Sequence, residues 1–272
     1  MKIGFIGAGN MATAIASGIV DRGVVQGSDV VVHDVHAAGA QALAERLGAT
    51  VAPSNEALVD AVDVVVLAIK PQVIAAALPP LAAALAESGA LLVSIAAGTS
   101  LARLEQLLGD GGADLPVVRV MPNVNAMVGA GMAAVAGNKA ASEEQVATVV
   151  DLFRAVGDAI ELPEPSFSTF TAIAGSAPAY AYLFIDALAR GALQAGLPKA
   201  MATRIAAQTV LGSARMILES DDAPWVLIDK VCSPGGTTIA GLMALEDGGF
   251  VSTVVDGVQA TIDRDLELGA GS

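Results

Sequence analysis

Two hydrophobic periods alternate along the first 160 or so residues. Short apolar runs, KIGFI at 2–6, VVVHD at 30–34, VDVVVLAIK at 62–70, ALLVSIAAG at 90–98 and PVVRVMPN at 116–123, are separated by Ala-, Leu- and Glu-rich stretches with helical spacing. Continuous apolar runs describe strands buried on both faces, and their regular exchange with helices predicts an α/β domain on a parallel sheet. After residues 157–163 the strand pattern fades, and Pro163 and Pro165 mark a boundary, so domains are expected at 1–163 and 164–272. In the second, Pro178 opens a helical pattern through Tyr182, Leu183, Ile185, Leu188 and Leu193 that stops before Gly196. Pro198 opens another through Ile205, Val210, Leu211, Met216 and Leu218. Both are apolar around most of their circumference, which one small helical domain cannot bury, so a second subunit is expected to cover them.

The polar residues that interrupt these patterns gather at strand ends. The first strand runs into Gly7-Ala8-Gly9-Asn10-Met11-Ala12 and then a helix through Ile15, Ile19 and Val20. That is the dinucleotide fingerprint: the first glycine makes the turn, the second admits a pyrophosphate, and small Ala12 permits close packing of helix on strand. The second strand ends in His33-Asp34, where a carboxylate would accept from an adenosine ribose and repel an added 2′-phosphate, favouring NAD over NADP. Ala68-Ile69-Lys70-Pro71, Ala96-Ala97-Gly98 and Met121-Pro122-Asn123 each stand where an apolar run stops, the side on which parallel sheets bind ligands. Far along the chain, Ser233-Pro234-Gly235-Gly236-Thr237-Thr238 precedes an apolar helical pattern from Ile239 to Leu245. A Gly-rich helix start exposes backbone N–H groups that suit an anion.

Charge and composition narrow the chemistry. A formal charge of −14 and a pI near 4.3 argue against nucleic acid as a partner and for a small-molecule ligand. No amino-terminal signal pattern is present, so a cytoplasmic location is expected. Residues 165–185 carry no charge and are long enough to cross a bilayer, but they hold Ser, Thr, Gly and two prolines, with Asp186 and Arg190 following; buried protein, not membrane, is expected. Cys232 is the sole cysteine and His33 and His36 the only histidines, which leaves no metal cluster and gives the thiol no base nearby.

Taken together, GAGNMA, AIKPQ, SIAAG, RVMPN, AGSAPAY and VCSPGGTTIAGLMALEDGGF resemble the pyrroline-5-carboxylate reductase family over nearly the whole chain. The resemblance implies an amino-terminal Rossmann-type domain, an all-α dimerisation domain intertwining two subunits, and a site between them that reduces the cyclic imine to L-proline with NADPH or NADH, the last step of proline synthesis. It also implies that Gly7, Ala8, Gly9, Asn10 and Met11 wrap the pyrophosphate, that Asn55 lies near the adenosine, and that Lys70, Pro71, Ala97 and Gly98 line the nicotinamide half. Ser233, Gly235, Gly236, Thr237 and Thr238 would hold the substrate, its carboxylate on backbone amides and its ring nitrogen against the Thr238 hydroxyl. The chain departs from the family's common pattern in four places. His33-Asp34 stands for Asn-Arg, which strengthens the NADH reading; Val124-Asn125 stands for Thr-Pro, Ala177 for Gly, and Cys232 for Thr or Ser. Two rivals are weighed. A β-hydroxyacid dehydrogenase would need a lysine soon after Gly175-Ser176, and none comes before Lys199. A nucleotide-sensing protein without catalysis is opposed by the intact SPGGTT.

Overall fold

A computed structural model describes residues 1–270. Strands β1 (Ile3–Ile6), β2 (Val30–His33), β3 (Thr50–Val51), β4 (Val64–Leu67), β5 (Leu91–Ser94), β6 (Val117–Pro122), β7 (Gly131–Gly137) and β8 (Gly157–Glu161) form one sheet in the order β3-β2-β1-β4-β5-β6-β7-β8. The first six strands are parallel in the doubly wound Rossmann order. The sheet is not wholly parallel, as the βαβ pattern had suggested. β6 and β7 pair antiparallel, and β8 runs parallel to β7. Only the short 3-10 turn Val124–Val128 connects β6 to β7, too little chain for the crossover that a parallel pair requires.

Helices α1 (Asn10–Asp21), α2 (Ala37–Leu47), α3 (Asn55–Val59), α4 (Pro71–Ala77), α5 (Ala82–Ser88), α6 (Leu101–Leu107) and α7 (Glu143–Arg154) cover the sheet. Successive strand residues point to opposite faces, so each face gathers its own core. Ile3 and Phe5 pack with Ile15 and Ile19 of α1 on one side, and Ile6, Val65 and Leu67 with Leu58, Ile74 and Leu85 on the other. β1, β4 and β5 are buried along their whole length, which is why they are written in uninterrupted apolar residues.

By density of contacts the chain separates into two units, Met1–Gly175 with the carboxyl end from Ile262, and Ser176–Thr261. Between β8 and the second unit lie α8 (Phe167–Phe170) and a π-helical turn, Thr171–Ser176. Asn123 ties this turn to the sheet: its Nδ2 donates to Ala174 O at 3.0 Å, and its Oδ1 accepts from Met132 N at 3.0 Å. Arg119 pairs with Glu164 at 2.8 Å and lies over the Phe167 ring.

The second unit is made of α9 (Ala177–Gln194), α10 (Lys199–Leu218), α11 (Pro224–Val231), α12 (Thr237–Asp247) and most of α13 (Phe250–Ala270). Lys199 and Arg190 both bond the Asp186 carboxylate and hold it below the usual carboxylate range, Lys199 with the larger effect. Within the single chain α9 buries only Pro178 and Ala189, and α10 only Ala202 and Ala206. Leu183, Ile205, Leu211, Leu218 and Trp225 stay exposed. By length and composition alone the run Glu164–Gln194 could cross a bilayer, and 22% of the window that passes that test is buried within the chain.

Candidate active site

The turn after β1 is held from both sides. Gly7 has φ +105° and donates its N–H to His33 O at 2.8 Å. A Cβ there would meet Ala68 O at 2.5 Å, so no side chain fits between the ends of β1 and β4. At Gly9 a Cβ would meet nothing within 4 Å: the backbone faces open space, as close approach of a pyrophosphate requires. Gly9 precedes α1 without a side-chain cap, leaving the first amides of that helix directed outward, and no acidic residue stands in its first turn. Ala12, 1% exposed, packs against the sheet.

Two adjoining hollows lie along the carboxyl ends of the strands. One, of about 250 Å³, is lined by Gly7, Gly9, His33, Asp34, Asn55, Ala68, Ile69 and Lys70, with Val35, His36 and Val73. The second, of about 320 Å³, is lined by Gly9, Asn10, Met11, Lys70, Pro71, Ile95, Ala96, Ala97, Met121 and Pro122. They share Gly9, Ala68, Ile69 and Lys70 and so form one elongated groove. Gly98 lines neither of these two; it stands in the adjoining hollow with Thr99 and Arg103, which shares Pro71 and Ala97 with the second. Asn123 lines neither; the bonds just described keep Met121 and Pro122 in the groove wall.

The Asp34 carboxylate is fixed at both oxygens. Its Oδ2 accepts from Ala8 N at 2.7 Å and its Oδ1 from His36 N at 2.8 Å, so the carboxylate pins the glycine turn to the start of α2 while lone pairs remain for a ligand. Asn55 is the first residue of α3, whose N-cap is Ser54, and its Oδ1 is buried with no hydrogen-bond partner. Open backbone at Gly9, free amides on α1 and the Asp34 carboxylate together fit a dinucleotide, with Asn55 in the wall of the same hollow.

In the second unit, Gly235 takes φ +65° and Gly236 N donates to Ser233 O at 3.0 Å, closing the turn before α12. A Cβ on Gly236 would lie 2.2 Å from Ser233 Oγ, which could rotate away, and 3.1 Å from the Ser233 backbone oxygen, so the turn is tight but not closed to a side chain. Gly236 occupies the N-cap position and makes no side-chain cap bond. The first helical bond is Ala240 N to Gly236 O at 3.4 Å, so the amides of Thr237, Thr238 and Ile239 precede it and point out of the helix. Gly236 N–H is already engaged, and Ile239 N–H takes its place among the free donors. Thr238 is exposed, and among the described residues its hydroxyl has no partner.

Comparison with known proteins agrees with this geometry. Residues 164–268 match the family model described as pyrroline-5-carboxylate reductase dimerisation, and residues 2–98 match one described as NADP oxidoreductase, coenzyme F420-dependent. A pyrroline-5-carboxylate reductase from Synechocystis is 40% identical over 269 residues, covering 99% of this chain and 98% of the relative. The chain belongs to the pyrroline-5-carboxylate reductase family. Two solved structures of that family are similar throughout. The Coxiella burnetii enzyme has a TM-score of 0.93 at 34% identity, covering 98% of each chain. The Plasmodium falciparum enzyme, solved with NADP bound, has a TM-score of 0.84 at 31% identity, covering 99% of this chain and 98% of its own. Membership of the pyrroline-5-carboxylate reductase family also accounts for the exposed apolar helices, since the dimerisation match spans α9 to α12 and most of α13.

Proposed function

We propose that this chain reduces 1-pyrroline-5-carboxylate to L-proline in the cytoplasm, as a homodimer or an assembly of dimers, and prefers NADH to NADPH. The observation that carries the reaction is the start of α12, where three outward amides stand beside a free threonine hydroxyl. A carboxylate on those amides is favoured by the positive end of the helix. Thr238 then holds the ring nitrogen, or a water that protonates it, and an imine is basic enough to need no stronger acid. A reduced nicotinamide bound in the groove supplies the hydride for the C=N carbon. Met121 and Pro122, braced by Asn123, and Ala97 form the wall on its nicotinamide side. Lys70 lines both hollows and forms no ion pair among the described residues, so its charge is available to the pyrophosphate. Oxidation of NADH on addition of pyrroline-5-carboxylate tests the reading, and a purified, folded protein that leaves NADH unoxidised refutes it.

Asp34 supports the choice of NADH, because a 2′-phosphate on the ribose would meet its fixed carboxylate. kcat/KM is expected to be higher with NADH, and Asp34→Arg to shift selectivity toward NADPH while lowering stability, since the Ala8 and His36 amides lose their acceptor. A clear preference of the parent for NADPH would sink this assignment. Sedimentation at low micromolar concentration is expected to give a dimer or larger species, because the exposed faces of α9 and α10 require cover. A folded, active monomer would refute it.

A further inference from the structure

We propose that a hollow along α1, apart from the dinucleotide groove, binds a small phosphate ester, with its phosphate held by Arg22, Arg46 and the Ser17 hydroxyl.

The hollow encloses about 460 Å³, within the range of small-molecule sites, and every residue lining it belongs to the first unit. It shares Asn10 with the 320 Å³ hollow of the groove and nothing with the 250 Å³ one. Asn10, Thr13, Ser17 and Asp21 recur every three or four residues and so lie along one face of α1. Ala12, Ile15, Ala16 and Ile19 of the same helix are buried in the core. The rest of the wall is mostly apolar, from Ala126 and Met127 in the turn after β6 and from Ala155 and Val156 ahead of β8. Gly18 lets α1 come close to that wall, since a Cβ there would lie 2.2 Å from Val156 Cγ1. Arg22 directly follows α1, and Arg46 stands in the last turn of α2.

Ser17 separates this hollow from an ordinary surface groove. The residue is 6% exposed, lines the hollow, and its Oγ is buried with no hydrogen-bond partner. Hydroxyls inside helices commonly turn back to the carbonyl four residues earlier, as Thr148, Thr203, Thr209 and Thr261 do in this chain. Ser17 does not. The Arg22 and Arg46 side chains likewise pair with no acid among the described residues, although the chain carries 28 acidic residues to 14 basic ones. Asp21 is the one carboxylate in the lining, so the hollow carries one net positive charge in a protein of net charge −14. A carboxylate ligand satisfies a single guanidinium through its two oxygens. A phosphate ester brings three acceptor oxygens and nearly two charges, which suits two guanidiniums and a hydroxyl. Its carbon skeleton has the apolar wall to lie on.

The test is calorimetric titration of the intact protein near neutral pH with glycerol 3-phosphate, inorganic phosphate and glycerate. Glycerol 3-phosphate is expected to bind about three- to tenfold more tightly than inorganic phosphate, and glycerate more weakly than either. The Arg22→Gln, Arg46→Gln double variant should lower glycerol 3-phosphate affinity by at least about tenfold and Ser17→Ala by about fivefold, with NAD⁺ affinity within about twofold of the parent in both. Ser17→Ala also removes an unbonded buried hydroxyl, so its melting temperature should hold or rise and weaker binding is not a failure to fold. Absence of binding at about ten millimolar glycerol 3-phosphate overturns the proposal. So does undiminished binding by the double arginine variant, which would place the phosphate on the α1 amides in the groove. Glycerate or inorganic phosphate binding as tightly as the ester overturns the ligand class, and a stable Ser17→Ala protein that binds like the parent overturns the role of that hydroxyl.

Discussion

Thr238→Val is expected to lower kcat/KM by about ten- to a hundredfold, the equivalent of losing one hydrogen bond to a charged group, while leaving the melting temperature nearly unchanged. The side chain keeps its β-branched shape and loses only the hydroxyl, and that hydroxyl bonds nothing among the described residues. Were Thr238 the cap of α12, removing its oxygen would cost about 1 kcal/mol of stability. The N-cap position belongs to Gly236, however, and Thr238 stands two residues inside the helix. Cofactor affinity should also be preserved, because the proposed role of the hydroxyl is toward the substrate and the groove-lining residues are untouched by the change. Melting temperature, NADH binding and steady-state rates on this one variant decide the matter. A rate within twofold of the parent would remove Thr238 from the chemistry, and a fall in melting temperature without a fall in rate would return it to a capping role.

The parts of this fold that could be read in advance are those where a single physical demand dominates the local sequence. β1, β4 and β5 are buried along their whole length and β2 over its first three residues, so they are spelled mostly in Val, Ile, Leu and Phe; β6 opens the same way at Val117 and Val118, and polar residues at the strand ends fall into the groove. β7 was hidden because Gly131–Gly137 reads GMAAVAG, in which only Val135 is β-branched, although Ala133–Ala136 are as buried as any strand. β3 has two residues, too few to show a period.

Within the site, the glycine turn carries its own constraint and was legible, and so was the SPGG turn. Asn55 entered only through family resemblance, since an asparagine at a helix start has no chemical mark until its buried, unpaired Oδ1 is seen. The bracing of Ala8 by Asp34 joins residues 26 positions apart and needs the turn and β2 already in place. His36 was overlooked, though its being one of two histidines, two residues after Asp34, was a signal available in the sequence. Gly98 shares a hollow with Pro71 and Ala97, as it was grouped, but that hollow also takes in Thr99 and Arg103 and adjoins the groove instead of lying within it. A strand end names a neighbourhood, and the conformation of the following residues decides which hollow each one lines.

Gly7→Ala is expected to damage both the fold and the cofactor groove. At φ +105° any L side chain is strained, a cost of order 1–3 kcal/mol before any contact is considered. The added Cβ would then stand 2.5 Å from Ala68 O and 2.9 Å from Ala68 C, both backbone atoms at the end of β4, which cannot turn aside as a side chain would. Relief requires the ends of β1 and β4 to part, or the turn to change path and give up the bonds from Gly7 N to His33 O and from Ala8 N to Asp34. Those bonds place Gly9 and the first amides of α1, so the variant should lose dinucleotide affinity by about a hundredfold or more, with overall destabilisation of roughly 3 kcal/mol. Gly9→Ala gives the contrast. Its Cβ meets nothing in the protein, so the fold should keep its melting temperature while affinity falls through obstruction of the pyrophosphate alone. Thermal melts and NADH titration on the pair separate the two effects. Unimpaired NADH binding by Gly7→Ala would show that the turn does not position the cofactor, and unimpaired NADH binding by Gly9→Ala would show that the open space beside Gly9 is not where the ligand lies.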